Sequence, residues 1–272
     1  MYGAILGDMI GSPYEFVNNF KTKNFELFTD ETEFTDDTIM TIAIADALTS
    51  IRPNSDDYTI KKQIIECMHT WGNEYSNVGF GHKFFLWIIK KDTKPYGSWG
   101  NGSAMRVSSV GWLFDSLEET RRYARLTAEV THNHPEGIKG AEATASAIFL
   151  ARTGKSKSEI KDYIISEFGY DLSQTCDQIR QWYKFDESCQ GTVPMAITAF
   201  LEGSDFEDAI RNAVSLGGDA DTLACITGGI AEAYYDIPKN MIEECKKRLP
   251  LDAFYVIFQF NNRKKQKIKE RN

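Results

Sequence analysis

The chain has 272 residues, a formal net charge of −8, 42% hydrophobic and 26% charged residues. That balance fits one large globular domain with an ample core, and the acidity argues against nucleic acid as a partner. No stretch approaches the roughly eighteen apolar residues of a membrane span, so no membrane partner is expected.

No Lys or Arg precedes Lys21 and Asp8 interrupts the short apolar start, so a signal peptide is not expected. Cys67, Cys176, Cys189, Cys225 and Cys245 show neither metal-ligand nor redox spacing and read as reduced thiols of a cytoplasmic protein.

The first apolar segment ends in the turn Gly11-Ser12-Pro13-Tyr14, which puts Glu15 at the mouth of an irregular stretch, Phe16 to Phe34. Thr35-Asp36-Asp37-Thr38 then opens the apolar run Ile39 to Leu48 and looks like the first turn of a buried helix. Asp57 to Trp71 carries Ile60, Ile64, Ile65 and Met68 at helical spacing. A second irregular stretch, Lys90 to Val107, holds Gly97-Ser98-Trp99-Gly100-Asn101-Gly102. Leu117 to Val130 is charged on one side, and Gly137 to Ala151 is rich in small residues suited to close packing. After a third irregular stretch, Gly169 to Thr192, Asp205 to Ser215 sets Phe206, Ile210 and Val214 on one face. Gly217-Gly218-Asp219-Ala220-Asp221-Thr222 opens the apolar run Leu223 to Tyr235, and Met241 to Leu249 is short and amphipathic.

Strand-like alternation is scarce, and two of the helices are apolar on nearly every side, as in the middle of a multi-helix domain. The expected fold is therefore all-α, one compact domain over 1–260 followed by a basic tail, 261–272. In that tail Arg263, Lys264, Lys265, Lys267, Lys269 and Arg271 are answered only by Glu270, and it reads as a solvated, frayed helix end.

One Asp/Thr cluster at a helix start is explained by capping. Two such clusters, each with more acids than a cap needs, would repel if brought together unless cations sat between them, and oxygen ligands suit hard divalent ions. Asp219-Ala220-Asp221 is not an EF-hand, because Ala224 and Ile230 stand at its sixth and twelfth positions. The glycine-rich segment allows close backbone approach to a ligand and its N–H groups could face one; Trp99 and Tyr96 could stack on a base, or Trp99 could anchor the core. His132 and His134 lack a partner cluster for zinc. One suits a ligand phosphate and the other a structural role. Glu15, taken alone, is a solvated acid.

In order along the chain, Gly3-Ala4-Ile5-Leu6-Gly7-Asp8, Gly11-x-Pro13-x-Glu15, Thr35-Asp36-Asp37-Thr38, Gly97 to Arg106, Thr131-His132 and Gly217 to Thr222 resemble the ADP-ribosylglycohydrolase family, from Gly3 to about Pro238. The resemblance implies a compact, almost wholly helical fold and two divalent cations, Mg²⁺ or Mn²⁺, held by Thr35, Asp36 and Asp37 on one side and Asp219, Asp221 and Thr222 on the other. It implies a substrate site at Gly97, Ser98, Trp99, Gly100, Asn101, Gly102 and Met105, with Trp99 near adenine and His132 near the distal ribose and phosphate. Glu15 matches the family glutamate, and Glu15, Asp36 or Asp37 could be the catalytic base. The implied activity is hydrolysis of the bond between ADP-ribose and an acceptor, most readily a protein side chain such as arginine, by a monomer. A non-catalytic ADP-ribosyl-binding or immunity protein, or a hydrolase of another ADP-ribose conjugate, are the alternatives. Glu15, ahead of a long loop, would move with that loop as a lid.

Overall fold

The computed structural model describes residues 1–52 and 54–271, and side chains as far as residue 266. Among these residues the chain is helical, and its one β-type pairing is an isolated bridge between Gly100 and Ser188. Helix α1 (Tyr2–Gly11) runs through a 3₁₀ turn, Ser12–Tyr14, into the long loop, and α2 (Asp36–Ser50), α3 (Asp57–Glu74) and α4 (His82–Ile89) follow. Two short helices, α5 (Gly102–Met105) and α6 (Ser108–Leu113), precede α7 (Leu117–Glu129) and α8 (Pro135–Arg152). Then come α9 (Lys157–Phe168), α10 (Cys176–Arg180), α11 (Cys189–Glu202), α12 (Phe206–Val214), α13 (Ala220–Tyr234), α14 (Lys239–Arg248) and α15 (Leu251–Arg271). No helix among the described residues is long and apolar enough to cross a membrane.

The all-α expectation holds, and both acid clusters do open buried helices. α2 is buried from Asp37 to Ala45, and α13 from Ala220 to Ala231. Helices buried on every side need neighbours all round, and α1, α8, α11 and α12 pack around α13. The α11 helix starts inside the stretch expected to be irregular. Gly191 and Pro194 mask it in the sequence, but Ser188 caps its first turn by accepting from the Gly191 N–H.

The tightest packing is between α1 and α13. Gly3, Gly7 and Gly11 recur every fourth residue, so they share one face of α1. A Cβ at Gly7 would lie 1.9 Å from the Ala224 carbonyl oxygen, one at Gly3 2.2 Å from the Gly228 oxygen, and one at Gly11 2.5 Å from the Asp221 Cα. The two backbones therefore touch over three turns, and only glycine fits on the α1 side.

The basic C-terminal segment continues α15, with Lys265 and Gln266 exposed and Arg263 and Lys264 partly buried. Arg263 donates to the Thr49 and Ile51 carbonyls at the end of α2, at 2.5 and 2.8 Å, and the Lys264 ammonium lies 3.9 Å from the Trp112 ring centroid. The side chains of Lys267, Lys269, Glu270 and Arg271, also assigned to the tail, lie outside the described residues.

Gly7→Ala should destabilise the protein by about 3 kcal/mol or more, because the new methyl meets backbone that cannot rotate away. Urea denaturation followed by circular dichroism measures this, and a wild-type midpoint would refute the seam.

Candidate active site

Asp8 sits in the middle of α1 and is fully buried. Its carboxylate accepts from the Thr35 N–H at 3.0 Å, the Thr35 hydroxyl at 2.6 Å, the Thr38 N–H at 3.0 Å and the Thr38 hydroxyl. Burial pushes its carboxyl pKa up, while these hydrogen bonds from Thr35 and Thr38 pull it back. Thr35 in turn caps α2, its hydroxyl oxygen accepting from the Asp37 N–H at 3.3 Å. Asp8 thus fixes the first turn of α2 from outside, and Asp36 and Asp37 are left with their carboxylates for other work. Sequence reasoning quoted Asp8 in a motif but gave it no role. The available signal was a lone acid inside an otherwise apolar helix.

The α13 cluster behaves differently. Asp219 stands at the N-cap position yet makes no side-chain cap hydrogen bond. Its Oδ2 instead accepts from Asn101 Nδ2 at 2.6 Å, and the same amide donates to the Thr192 hydroxyl at 3.0 Å. The capping explanation therefore suits Thr35 and fails for Asp219. The Thr222 hydroxyl donates to Asp37 Oδ2 at 3.2 Å, which joins the two acid clusters directly.

One oxygen each from Glu15, Asp219 and Asp221 lie within 4.8 Å of one another. Asp36, Asp37 and Thr222 line the same cavity, of about 540 Å³, whereas Thr35 is not among its lining residues and directs its hydroxyl to Asp8. Asp37 Oδ1 and Asp221 Oδ1 are buried without any hydrogen-bond partner. Burial, reinforced by Asp8 beside Asp36 and Asp37 and by Asp219 beside Asp221, pushes these three carboxyls well above the usual range. Asp219 is also raised, chiefly by burial. Burial, then the charges of Asp219 and Asp8, raises Glu15 from 4.5 to about 7. Orphaned buried carboxylate oxygens in one acid-lined cavity are the donor set that a hard cation completes. The residues present therefore fit a divalent metal.

Glu15 follows the proline-containing turn as expected, but its loop is docked. Phe16 N–H donates to the Gly218 carbonyl at 2.9 Å, and its ring stacks on Phe185 at 4.9 Å. Lys21 donates to the Tyr183 carbonyl at 2.8 Å and also to that of Leu216. These ties bind the segment after Glu15 to the turn that carries Asp219. In this conformation the segment expected to act as a lid is docked on the turn. Phe16 holds a left-handed φ of 65°, unusual for an aromatic residue.

The rest of the cavity is built by the glycine-rich segment and His132. Trp99 is 50% exposed, so it is not a core anchor. The N–H groups of Gly97, Ser98, Gly100 and Asn101 bond within the protein, to Asn133 Oδ1, the Thr131 carbonyl, Ser98 Oγ and the Glu187 carbonyl, and so are not free for a ligand. Asn101 lines the cavity, but its side-chain amide holds Asp219. Met105 is buried at the cavity wall, and its carbonyl accepts from the Thr41 hydroxyl at 3.3 Å. His132 is buried, and its Nε2 faces Gly102, where a Cβ would come within 3.1 Å. Burial, then the Arg106 charge, holds its pKa well below the ordinary range, so the ring is neutral. His134 has the structural role, accepting from the Glu136 N–H at the start of α8. Phe185, Glu187 and the segment His82 to Phe84 also line the cavity, and no motif in the sequence marks them.

Comparison with known proteins places this geometry. Residues 1–267 match the family model described as ADP-ribosylglycohydrolase. The chain is 26% identical to ADP-ribosylhydrolase ARH3 of Homo sapiens over 325 aligned residues, covering 90% of this chain and 87% of that protein. An uncharacterized protein of Archaeoglobus fulgidus is 33% identical over 163 residues, 54% of this chain and 53% of that one. A solved structure titled ADP-ribosylglycohydrolase-related protein complex superposes with a TM-score of 0.70 at 24% identity, covering 96% of this chain and 95% of the other, and so shares its fold.

The crowded carboxyls predict a pH-dependent stability. A folded pKa of about 7 against 4.5 for Glu15 means that the folded protein binds more protons between those values. Stability is then fully present below the lower value and is lost as pH rises through the upper one. In chelator, the melting temperature should fall as pH rises from about 5 to about 8, and saturating Mg²⁺ or Mn²⁺ should flatten the slope. Melting curves with the same pH slope in chelator and in metal would contradict a cation site.

Proposed function

The chain belongs to the ADP-ribosylglycohydrolase family, and from that premise we propose that it hydrolyses the bond between ADP-ribose and an acceptor, with an ADP-ribosylated protein side chain such as arginine as substrate. One observation carries the reading: a single cavity is lined both by the acids Glu15, Asp36, Asp37, Asp219 and Asp221 and by Trp99, Gly102, Arg106 and His132. Positive charge that develops on the ribose faces the acids, and the anionic pyrophosphate faces neutral and cationic donors. A guanidinium acceptor suits a mouth that also carries Glu187.

Asp36, Asp37, Asp219 and Asp221, with Thr222 as a neutral oxygen, would hold two divalent cations, Mg²⁺ or Mn²⁺, and Thr35 would act on the site through Asp8. When bound, the cations supply Lewis-acid charge that orients the ribose hydroxyls and favours a deprotonated nucleophile. Glu15, whose carboxylate lies beside those of Asp219 and Asp221, takes the proton of the attacking water and can return one to the leaving group. Trp99 stacks on the adenine, and His132 Nε2 donates toward the phosphate or ribose. Remote binding at these groups fixes the reacting carbon beside the acids.

Incubation with arginine- and serine-linked ADP-ribosylated peptides should release free ADP-ribose, fastest from arginine, in Mg²⁺ or Mn²⁺ but not after chelation. Absence of release from every peptide, or full activity without metal, would overturn the proposal.

Glu15→Gln should lower kcat by about 10² or more while ADP-ribose binding stays nearly intact. Trp99→Ala should weaken ADP-ribose binding by about 1–3 kcal/mol in calorimetry. A wild-type kcat in the first variant would remove Glu15 from the reaction, and unchanged affinity in the second would remove the ring from the ligand.

A further inference from the structure

Arg106 is 1% exposed, is a wall residue of the cavity, and among the described residues has no carboxylate in contact. Its Nη2 donates to the Thr127 carbonyl at 2.8 Å and to the Thr131 hydroxyl oxygen at 2.9 Å. Thr131 is fully buried, and its hydroxyl lies 2.7 Å from His132 Nδ1. A guanidinium can only donate, so the Thr131 oxygen must accept from it and needs another acceptor for its own proton. Among the described residues the one acceptor recorded for that proton is His132 Nδ1. The opposite arrangement, with Nδ1 donating to Thr131, would leave a buried O–H without a partner, which costs the full desolvation of that group.

We propose that Arg106 and Thr131 are positioning residues that hold His132 as the neutral Nε2–H tautomer, so that the ring presents a hydrogen-bond donor, not an acceptor, over the Gly100–Gly102 backbone. The consequence is specific to an anionic ligand. A phosphate or ribose oxygen at this wall meets an N–H, whereas the other tautomer would present a lone pair and repel it. The arrangement is made before any ligand arrives, because Arg106, Thr131 and the His132 ring are all buried and connected. It also explains why a buried arginine stands here without an acid: a carboxylate partner would cancel the charge that polarises the Thr131 hydroxyl toward the ring. This inference rests on the proposed ADP-ribose reading for its ligand, but the tautomer itself does not.

The test therefore has two independent readouts. Nitrogen-15 NMR of the histidine rings in the full chain, assigned with His132→Gln, should show His132 protonated at Nε2 and unprotonated, hydrogen-bonded Nδ1 at neutral pH. Thr131→Val removes the hydroxyl at nearly constant volume and should shift the Nδ1 signal to that of a nitrogen with no donor. It should also raise the Kd for ADP-ribose, titrated calorimetrically in Mg²⁺, by about tenfold, the effect of one hydrogen bond to a charged group. Thr131→Ser keeps the hydroxyl and should restore both the signal and the affinity, which separates a lost proton relay from general misfolding. Nδ1 protonated in the wild-type protein overturns the proposal, as does a Thr131→Val protein with unchanged ring signal or unchanged affinity. Wild-type protein that binds no ADP-ribose would sink the functional reading, and the ring signals would still decide the relay.

Discussion

Backbone contact between α1 and α13 sets the position of every acid in the cavity. Three glycines on one face of α1 let its main chain lie against Ala224, Gly228 and Asp221. At that separation Asp8 on α1 reaches the first turn of α2, while Gly11 lies against Asp221 at the first turn of α13. Both acid-bearing helix starts are thus referenced to one rigid helix. A side chain at the seam would move them apart by a distance comparable to a ligand–metal bond length.

The same contact creates an electrostatic problem that the fold does not solve alone. Asp8 is satisfied by four donors, and Asp219 by Asn101, but Asp37 and Asp221 each keep one buried oxygen with no partner. Unpaired buried carboxylates are costly, and the cost appears as raised pKa values throughout the group. Such strain is tolerated where it prepares a site. Asp8 and Asn101 differ in role from the acids they hold. They aim the first turns and leave the cavity-facing oxygens free of competing donors.

The wall formed by the glycine-rich segment carries neutral and cationic groups instead. Arg106 is buried under the glycine-rich segment without a carboxylate, and the neutral His132 is tied to it through Thr131. Trp99 projects from this wall half into solvent.

The sequence by itself determined the helical class, the two buried helices and their acid-rich first turns, because periodicity and capping residues act over a few neighbouring positions. The ordered motifs also pointed to the family. Helix α11 is not legible in the sequence because Pro194 and Gly191 are local signals against helix that burial overrides. Other features were decided only by tertiary structure: Asp8 as the anchor of α2, the side chain of Asn101 on Asp219, the Thr35 hydroxyl on Asp8, and the loop after Glu15 docked on Gly218 and Phe185. Each joins residues far apart in the chain, 118 positions for Asn101 and Asp219 and 185 for Asp37 and Thr222. Local pattern says which side chains can cap, ligate or donate. Which of those jobs a side chain performs depends on the atoms that packing brings within hydrogen-bond distance, and for the acids here that was set by the close approach of α1 and α13.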